Sequence, residues 1–441
     1  MAIFKKGFDR RDVFKISAGV GLAAGIGRIA SVREGAMYQN LLAGAKLGSL
    51  NEVAYAAGNA PKRTLVHIVL IDKTQTALFQ HIADGTPPLG ADTAGGLAQT
   101  RVDFRGLPLT KLFADGLAEL PPNVSMSMNV AWAKSTGNHT LVDSYIDGDL
   151  GSINSAFEIL SGGTGILGAV GFNMNSNANT SRDAFTGPGQ RQLTTYENVA
   201  DLATTLEAST APLKDKSSLE MVKFMDSLVT PKFEMRDRLV DLAKKIGAAV
   251  PKIKESQAAT FVNEFRPPGA MQNGMAPTQP DGVMQQVNAV IALHAAGVAR
   301  NFMIAVPWND TNAGNSLTNT GGEFNADPLS MTPKIAQAIT ALHKAIPDLV
   351  IVTTSDGGRS QDNGDQNPGL AFLTGPSTVV QNGIIGTPYA NTANLNRASG
   401  QATFNDGSRG VTSPADWYRT SLVALGLTPK SGKFVKQALK V

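Results

Sequence analysis

The chain has 441 residues, enough for one large α/β domain or two ordinary ones, and its 42% hydrophobic content supports a sizeable core. It contains no cysteine, which excludes disulfides, thiolate nucleophiles, iron–sulfur clusters and cysteine-ligated zinc. The formal charge of +3 is concentrated at the amino terminus. Residues 1–30 hold six basic and two acidic groups, and the remainder has 33 basic and 34 acidic residues, a net charge of −1. Without a clustered positive footprint, a nucleic-acid partner is not expected.

At the amino terminus, Asp9-Arg10-Arg11-Asp12-Val13-Phe14-Lys15 follows the twin-arginine pattern S-R-R-x-F-L-K. Arg10, Arg11 and Lys15 are the signal residues. An uncharged, Gly/Ala-rich stretch from Ile16 to Gly27 follows. It falls short of the roughly 20 strongly apolar residues of a membrane span and suits a signal h-region of about 7–15 residues. Residues 1–30 therefore read as a twin-arginine signal segment. They imply export of the folded chain by the twin-arginine translocase to the periplasm, the cell surface or the medium. Residues 31–60 read as a linker.

The first strand is expected at Leu65–Ile71, a continuous apolar run of the kind buried on both faces of a parallel sheet. Val124–Trp132, Phe302–Val306, Leu349–Thr353 and Leu370–Thr374 are further strand candidates. Helices are expected from Val283 to about Val298, from an N-cap at Thr332-Pro333, and from Ser413-Pro414 to near Gly426. Residues 193–262 are helix-rich without strand signals and read as a helical insertion. Residues 173–190 and 263–282, rich in Asn, Gly and Pro, read as surface loops. Helix–strand alternation points to an α/β fold with a doubly wound, mostly parallel central sheet flanked by helices, formed by residues 61–441 as one domain.

Ligands of open parallel sheets bind at the carboxyl ends of the strands. Asp72 follows the first strand, Asp310 follows Phe302–Val306, and Asp356, Arg359 and Asp365 follow Leu349–Thr353. Three strands thus deliver carboxylates to one end of the sheet, where Arg359 or a cation must offset their repulsion. Taken singly, each Asp reads first as a turn residue, and only jointly do they point to a site. Among five histidines, His67 and His294 are expected in the core and His81 and His343 on helix flanks. His139 lies in a polar loop and is the functional candidate. Gly163–Gly168 matches G-x-G-x-x-G, but loop-like sequence follows it where a dinucleotide site needs a helix. No G-x-S-x-G elbow is present.

The run QVNAVIALHAAGVARNFMIAVPWNDTNAG (Gln286–Gly314) resembles a block of the twin-arginine-exported domain of unknown function 1501 family, within the alkaline phosphatase/sulfatase superfamily. In that family a helix, a glycine link and a strand precede W-D-T-H. VIVTTSDGGR (Val350–Arg359) resembles its strand followed by S-E-F-G-R-T, and SPADWYRTSLVALGL resembles its closing helix. Asn138-His139-Thr140 and Asp143–Gly148 weakly match a block built around S-H-F. The resemblance is good over about 280–427 and thin over 60–280. It implies an alkaline-phosphatase-like fold and, in the superfamily's hydrolases, a pair of divalent metals held by Asp and His.

This chain departs from that pattern at Asn312, where the family has the histidine of W-D-T-H, and at Gln366, where it has the histidine of G-x-D-H. Asp356 replaces the family's Glu, and Arg359 is kept. Losing imidazoles removes the ligands that favour zinc. The resemblance therefore implies a degenerate site with no cofactor and a non-catalytic binding or envelope-assembly role, with an envelope or surface protein as partner. The alternatives are a phosphate or sulfate ester hydrolase holding magnesium or calcium on Asp72, Asp310, Asp356 and Asp365, and a structural cell-surface protein.

Replacing Arg10 and Arg11 by Lys is expected to leave folded protein in the cytoplasm, as read by fractionation. Undiminished export of that variant, or export from cells lacking the twin-arginine translocase, refutes the signal.

Overall fold

The structure is a computed structural model. It describes residues 63–74, 79, 101–129, 146–147, 151–154, 156–157, 169–172, 194–195, 199–214, 235–258, 282–307, 328–358, 371–386, 402–429 and 432–440. The signal segment, the 31–60 linker, the 173–190 loop, Gly163–Gly168 and His81 lie outside these residues.

Strand β1 (Thr64–Thr74) is followed by β2 (Arg101–Phe104), β3 (Leu107–Thr110), helix α1 (Lys111–Gly116), β4 (Val124–Asn129), β5 (Ile146–Asp147), β6 (Gly151–Ser152), β7 (Ala169–Phe172) and β8 (Thr194–Thr195). Then come α2 (Val199–Lys214), α3 (Met235–Ala258), α4 (Val283–Ala295), β9 (Asn301–Pro307), α5 (Pro328–Ala345), β10 (Leu349–Gly358), β11 (Ala371–Pro376), β12 (Gly383–Ile385), β13 (Ala402–Thr403), β14 (Arg409–Gly410) and α6 (Pro414–Ala424). Eight strands form the central sheet in the order β12-β4-β11-β10-β1-β9-β7-β8. Every neighbouring pair is parallel except β10–β11 and β11–β4, so β11 alone runs against the other seven.

The apolar run of β1 is buried on both faces because successive side chains point to opposite sides of the sheet. Val66, Ile68 and Leu70 join the core beneath α1–α5, while Leu65 and Val69 join the core beneath α6 and the carboxyl-terminal segment. Helices thus cover both faces of a mixed, mostly parallel sheet. β9 and β10 flank β1 on either side and run parallel to it, so the connection through α5 crosses over β1.

Each of the five strand candidates falls on an observed strand; the residues of Val124–Trp132 beyond Asn129, and Leu370 of Leu370–Thr374, lie outside the described ones. Several boundaries need correction. β1 and β10 run past the expected ends at Ile71 and Thr353 to Thr74 and Gly358, because each continues the ladder of the other, so Asp72 and Asp356 lie within strands and not after them. The helix expected to start at Thr332-Pro333 begins at Pro328 and holds Pro333 inside. Pro328 supplies the fixed φ at the first helical position, and an internal proline so near the start forfeits only one early backbone bond. The helix expected to reach about Val298 ends at Ala295, with Gly297 at φ 67. Val298 N donates to Leu293 O and Gly297 N to His294 O, which closes a Schellman cap. The stretch 193–262 contains the two-residue strand β8, which backbone pairing to β7 creates without any side-chain pattern. Its helices α2 and α3 share the apolar core with α4, through Leu202, Leu206, Ile246 and Ile253.

The carboxyl-terminal helix matches expectation. The Ser413 hydroxyl accepts from Asp416 N, and the Asp416 carboxylate accepts from Ser413 N, a reciprocal capping box. Gly426, at φ 84, ends the helix through a second Schellman cap, with Leu427 N on Leu422 O.

Two contacts fix α1. Phe113 meets Phe79 at 5.1 Å and Phe372 of β11 at 5.7 Å, which ties the helix to the sheet. Gly116 packs directly on α5: a Cβ there would lie 2.5 Å from Ala336 Cβ and 2.7 Å from Pro333 O. The Thr340 hydroxyl also donates to Gly116 O. Because one contact is backbone, the neighbour cannot yield by changing rotamer. Gly116→Ala is therefore expected to cost about 1–3 kcal/mol in chemical denaturation, with part of it recovered by adding Ala336→Gly. An unchanged midpoint would refute the close approach.

Candidate functional site

β9, β1 and β10 are adjacent and parallel, so their carboxyl ends share one end of the sheet. β1 pairs regularly with β10 as far as Leu70↔Ser355, then resumes at Lys73↔Gly357. Ile71 and Asp72 therefore oppose the single residue Asp356, as a β-bulge. β9 ends at Pro307, the register partner of Ile71. The chain thus leaves β9 level with the bulge, three residues before Asp310.

Of the expected site residues, the backbone brings Asp72 and Asp356 opposite each other on neighbouring strands. Asp310, Arg359 and Asp365 lie outside the described residues, as do His139, Arg10, Arg11 and Lys15. Among the described residues no three His, Cys, Asp or Glu side chains gather at metal-binding distance, and no helix is long and apolar enough to cross a membrane.

Below this end of the sheet, on the face that carries α6, lies a buried polar relay invisible as a sequence motif. His67 sits in the middle of β1 and is fully buried. Its Nδ1 lies 3.1 Å from Asn154 Oδ1 and its Nε2 2.7 Å from Thr354 Oγ1. Asn154 Nδ2 donates to Asn301 Oδ1 at 2.6 Å and to the Phe302 carbonyl at 3.1 Å, and Asn301 Nδ2 donates back to Asn154 O at 2.7 Å.

Because the Asn154 amide nitrogen is engaged as donor, its Oδ1 accepts. The network therefore assigns the proton of neutral His67 to Nδ1, and Nε2 receives the Thr354 hydroxyl. Burial disfavours the charged ring and pushes its pKa down to about 4, although the Asn154 hydrogen bond acts in the opposite direction. The expected core placement of His67 holds. Of its partners, Thr354 directly follows the expected strand Leu349–Thr353, whereas Asn154 carried no signal, being remote in sequence.

Two other histidines differ from expectation. His294, expected in the core, is half-buried, with its pKa lowered by burial and by nearby Arg300. It sits in the last turn of α4. His343, expected on a helix flank, is buried against β11, its Nε2 2.8 Å from the Thr374 hydroxyl. Burial pushes its pKa down to about 3.

The fold and its carboxyl end define a mixed α/β protein with a mostly parallel sheet and two carboxylate-bearing positions facing across a bulge. No protein-family model matches the chain, and no curated protein matches it in sequence. Among solved structures, the crystal structure of Ps i-CgsB in complex with k-i-k-neocarrahexaose is similar over 84% of this chain and 73% of that one, at 12% identity and a TM-score of 0.33. A likeness at that score carries no argument about this protein.

His343 makes stability depend on pH. Its folded pKa lies below the unfolded value of 6.5, so between pH 6.5 and about 3 the unfolded chain binds a proton that the folded chain refuses. Stability from this group is therefore complete above pH 6.5 and falls with pH until about 3. His343→Gln keeps a partner for Thr374 and removes the titration. Between pH 7 and 4.5 the variant is expected to lose about 2–3 kcal/mol less than the parent in urea denaturation. Equal losses would refute the burial argument.

Proposed function

We propose that the chain is an exported protein of the alkaline phosphatase/sulfatase type whose acidic sheet end has lost the imidazole ligands of a metal pair, and that it serves as a non-catalytic binding or envelope-assembly component. The observation that carries this reading is the bulge that sets Asp72 opposite Asp356, at the end of the sheet where open α/β folds bind ligands. The sequence supports it through Asn312 and Gln366, which stand where the resembled pattern has histidines.

In this reading residues 61–441 form one alkaline-phosphatase-like domain with 193–262 inserted, behind the signal segment 1–30 and the linker 31–60. Arg359, the residue directly after β10, supplies the positive charge that metals supply in the superfamily's hydrolases. Asp310 and Asp365 complete the acidic set. Twin-arginine export delivers the protein to the periplasm or cell surface, where an envelope protein is the partner class.

The bulge also favours a second reading. Carboxylates and amide oxygens without imidazole suit magnesium or calcium. Asp72, Asp310, Asp356 and Asp365 would hold such a cation, which polarises an ester oxygen when bound. The two readings separate on elemental analysis of exported protein, combined with phosphatase and sulfatase assays with zinc, magnesium, manganese and calcium added in turn. The pseudoenzyme reading expects no stoichiometric zinc and no turnover. It also expects Arg359→Ala to lose about 1–3 kcal/mol of stability, partly restored by adding Asp356→Asn. Turnover that disappears in Asp310→Ala, or stoichiometric tightly bound metal, overturns it in favour of the hydrolase.

A further inference from the structure

The relay beneath the sheet end places a titratable ring between three strands and the helical turn that carries Ile153, Asn154, Ala156 and Phe157. We propose that His67 is a proton-operated latch: its neutral ring, held by Thr354 of β10, keeps the turn of Ile153, Asn154, Ala156 and Phe157 against β1 and β9, and protonation releases that turn while the sheet stays paired. The proposal is independent of whether the carboxyl end of the sheet binds metal, ligand or neither.

The hydrogen-bond roles carry the argument. In the neutral state every link has a donor and an acceptor: Thr354 O–H to Nε2, Nδ1–H to Asn154 Oδ1, and Asn154 Nδ2 to Asn301 and Phe302. A solvent proton added to Nε2 makes the ring a donor at both ends. The Thr354 hydroxyl must then turn to accept, and its own hydrogen loses its place in the relay. The groups that face the ring among the described residues are uncharged. They include Met303 on β9 and Val352 on β10, its register partners, with Asn154 on the turn, Thr354 on β10, and Leu65 and Val69 on β1 itself; α6 covers the same core and brings one titratable side chain to it, the buried and neutral Tyr418. A charged ring in this setting gains more from water than from its neighbours, and burial already holds its pKa at about 4.

Water reaches the ring by parting a strand pair or by moving the turn, whose Ile153, Ala156 and Phe157 are themselves buried. Parting β1 from β9 or β10 would break a continuous parallel ladder, seven register pairs long on the β9 side. Among the described residues, the polar attachments of the turn to the sheet run through Asn154 alone: its side chain to His67, Asn301 and Phe302, and its carbonyl to Asn301. Local opening therefore breaks few bonds compared with unfolding the sheet.

Hydrogen exchange on the full chain, corrected for the intrinsic pH dependence of exchange, tests the latch. A ring that titrates at about 4 when closed and at the ordinary 6.5 when open raises the open population about 20-fold between pH 7 and pH 5. Peptides covering 151–157 are expected to lose protection by that factor, while peptides of β1, β9 and β10 keep theirs. In His67→Gln, whose amide both donates and accepts without titrating, the pH effect on 151–157 is expected to vanish. Retained protection of 151–157 at pH 5, or an equal loss in His67→Gln, overturns the proposal. If that variant does not fold, the parent protein decides alone: loss confined to 151–157 supports the latch, and uniform loss across the three strands refutes it.

Discussion

From Leu65 to Leu70, β1 has no side chain that reaches water, and both of its backbone edges are paired. A strand with that composition has one stable situation, the middle of a sheet with apolar layers on both faces. Its neighbours must supply unbroken ladders, and helices must cover each side. α4 and α5 do so on one face, while α6 and the carboxyl-terminal segment do so on the other. The direction of β1 then sets the direction of β9 and β10. That shared direction brings the carboxyl ends of three strands to one end of the sheet, a consequence of how β1 is buried.

The polar interruption of β1 has a cost that the fold offsets in full. A neutral imidazole in an apolar layer loses its hydration, and the fold returns a partner to each ring nitrogen from a different part of the chain. Asn154 and Asn301 extend the arrangement by satisfying each other across 147 residues of sequence. Such a relay joins stability to proton activity, because its donors and acceptors are matched for one charge state of His67 and not for the other. His343 on the opposite face is only half satisfied: its Nε2 meets the Thr374 hydroxyl, and its buried Nδ1 has no hydrogen-bond partner among the described residues.

The bulge at Ile71–Asp72 is the point where the regular ladder stops and the end of the sheet begins. An extra residue there lets two acidic positions on adjacent strands stand opposite each other without disturbing the seven register pairs below. The chemistry at that end is decided by what offsets the acids. An arginine makes a closed, charge-balanced surface, whereas a hard cation makes a Lewis-acid site.

The sequence by itself determined the elements whose signals are local. The run LVHIVLI specified a doubly buried strand because nothing in it tolerates water, and Ser413-Pro414 through Gly426 specified a helix because its caps are written in adjacent residues. The sequence also placed an acid beyond the apolar run of each strand that became β1, β9 and β10, and the structure takes Asp72 and Asp356 into the last residues of β1 and β10. Only tertiary structure decided the order of those strands, the reversed direction of β11 and the start of α5 at Pro328. It alone set the bulge that puts Asp72 opposite Asp356, because register is a property of two strands and of neither one. The partners of His67 belong to the same class. Asn154 and Thr354 lie 87 and 287 residues away, and a hydrogen bond across that separation exists only once burial of the apolar layers has brought the three segments together.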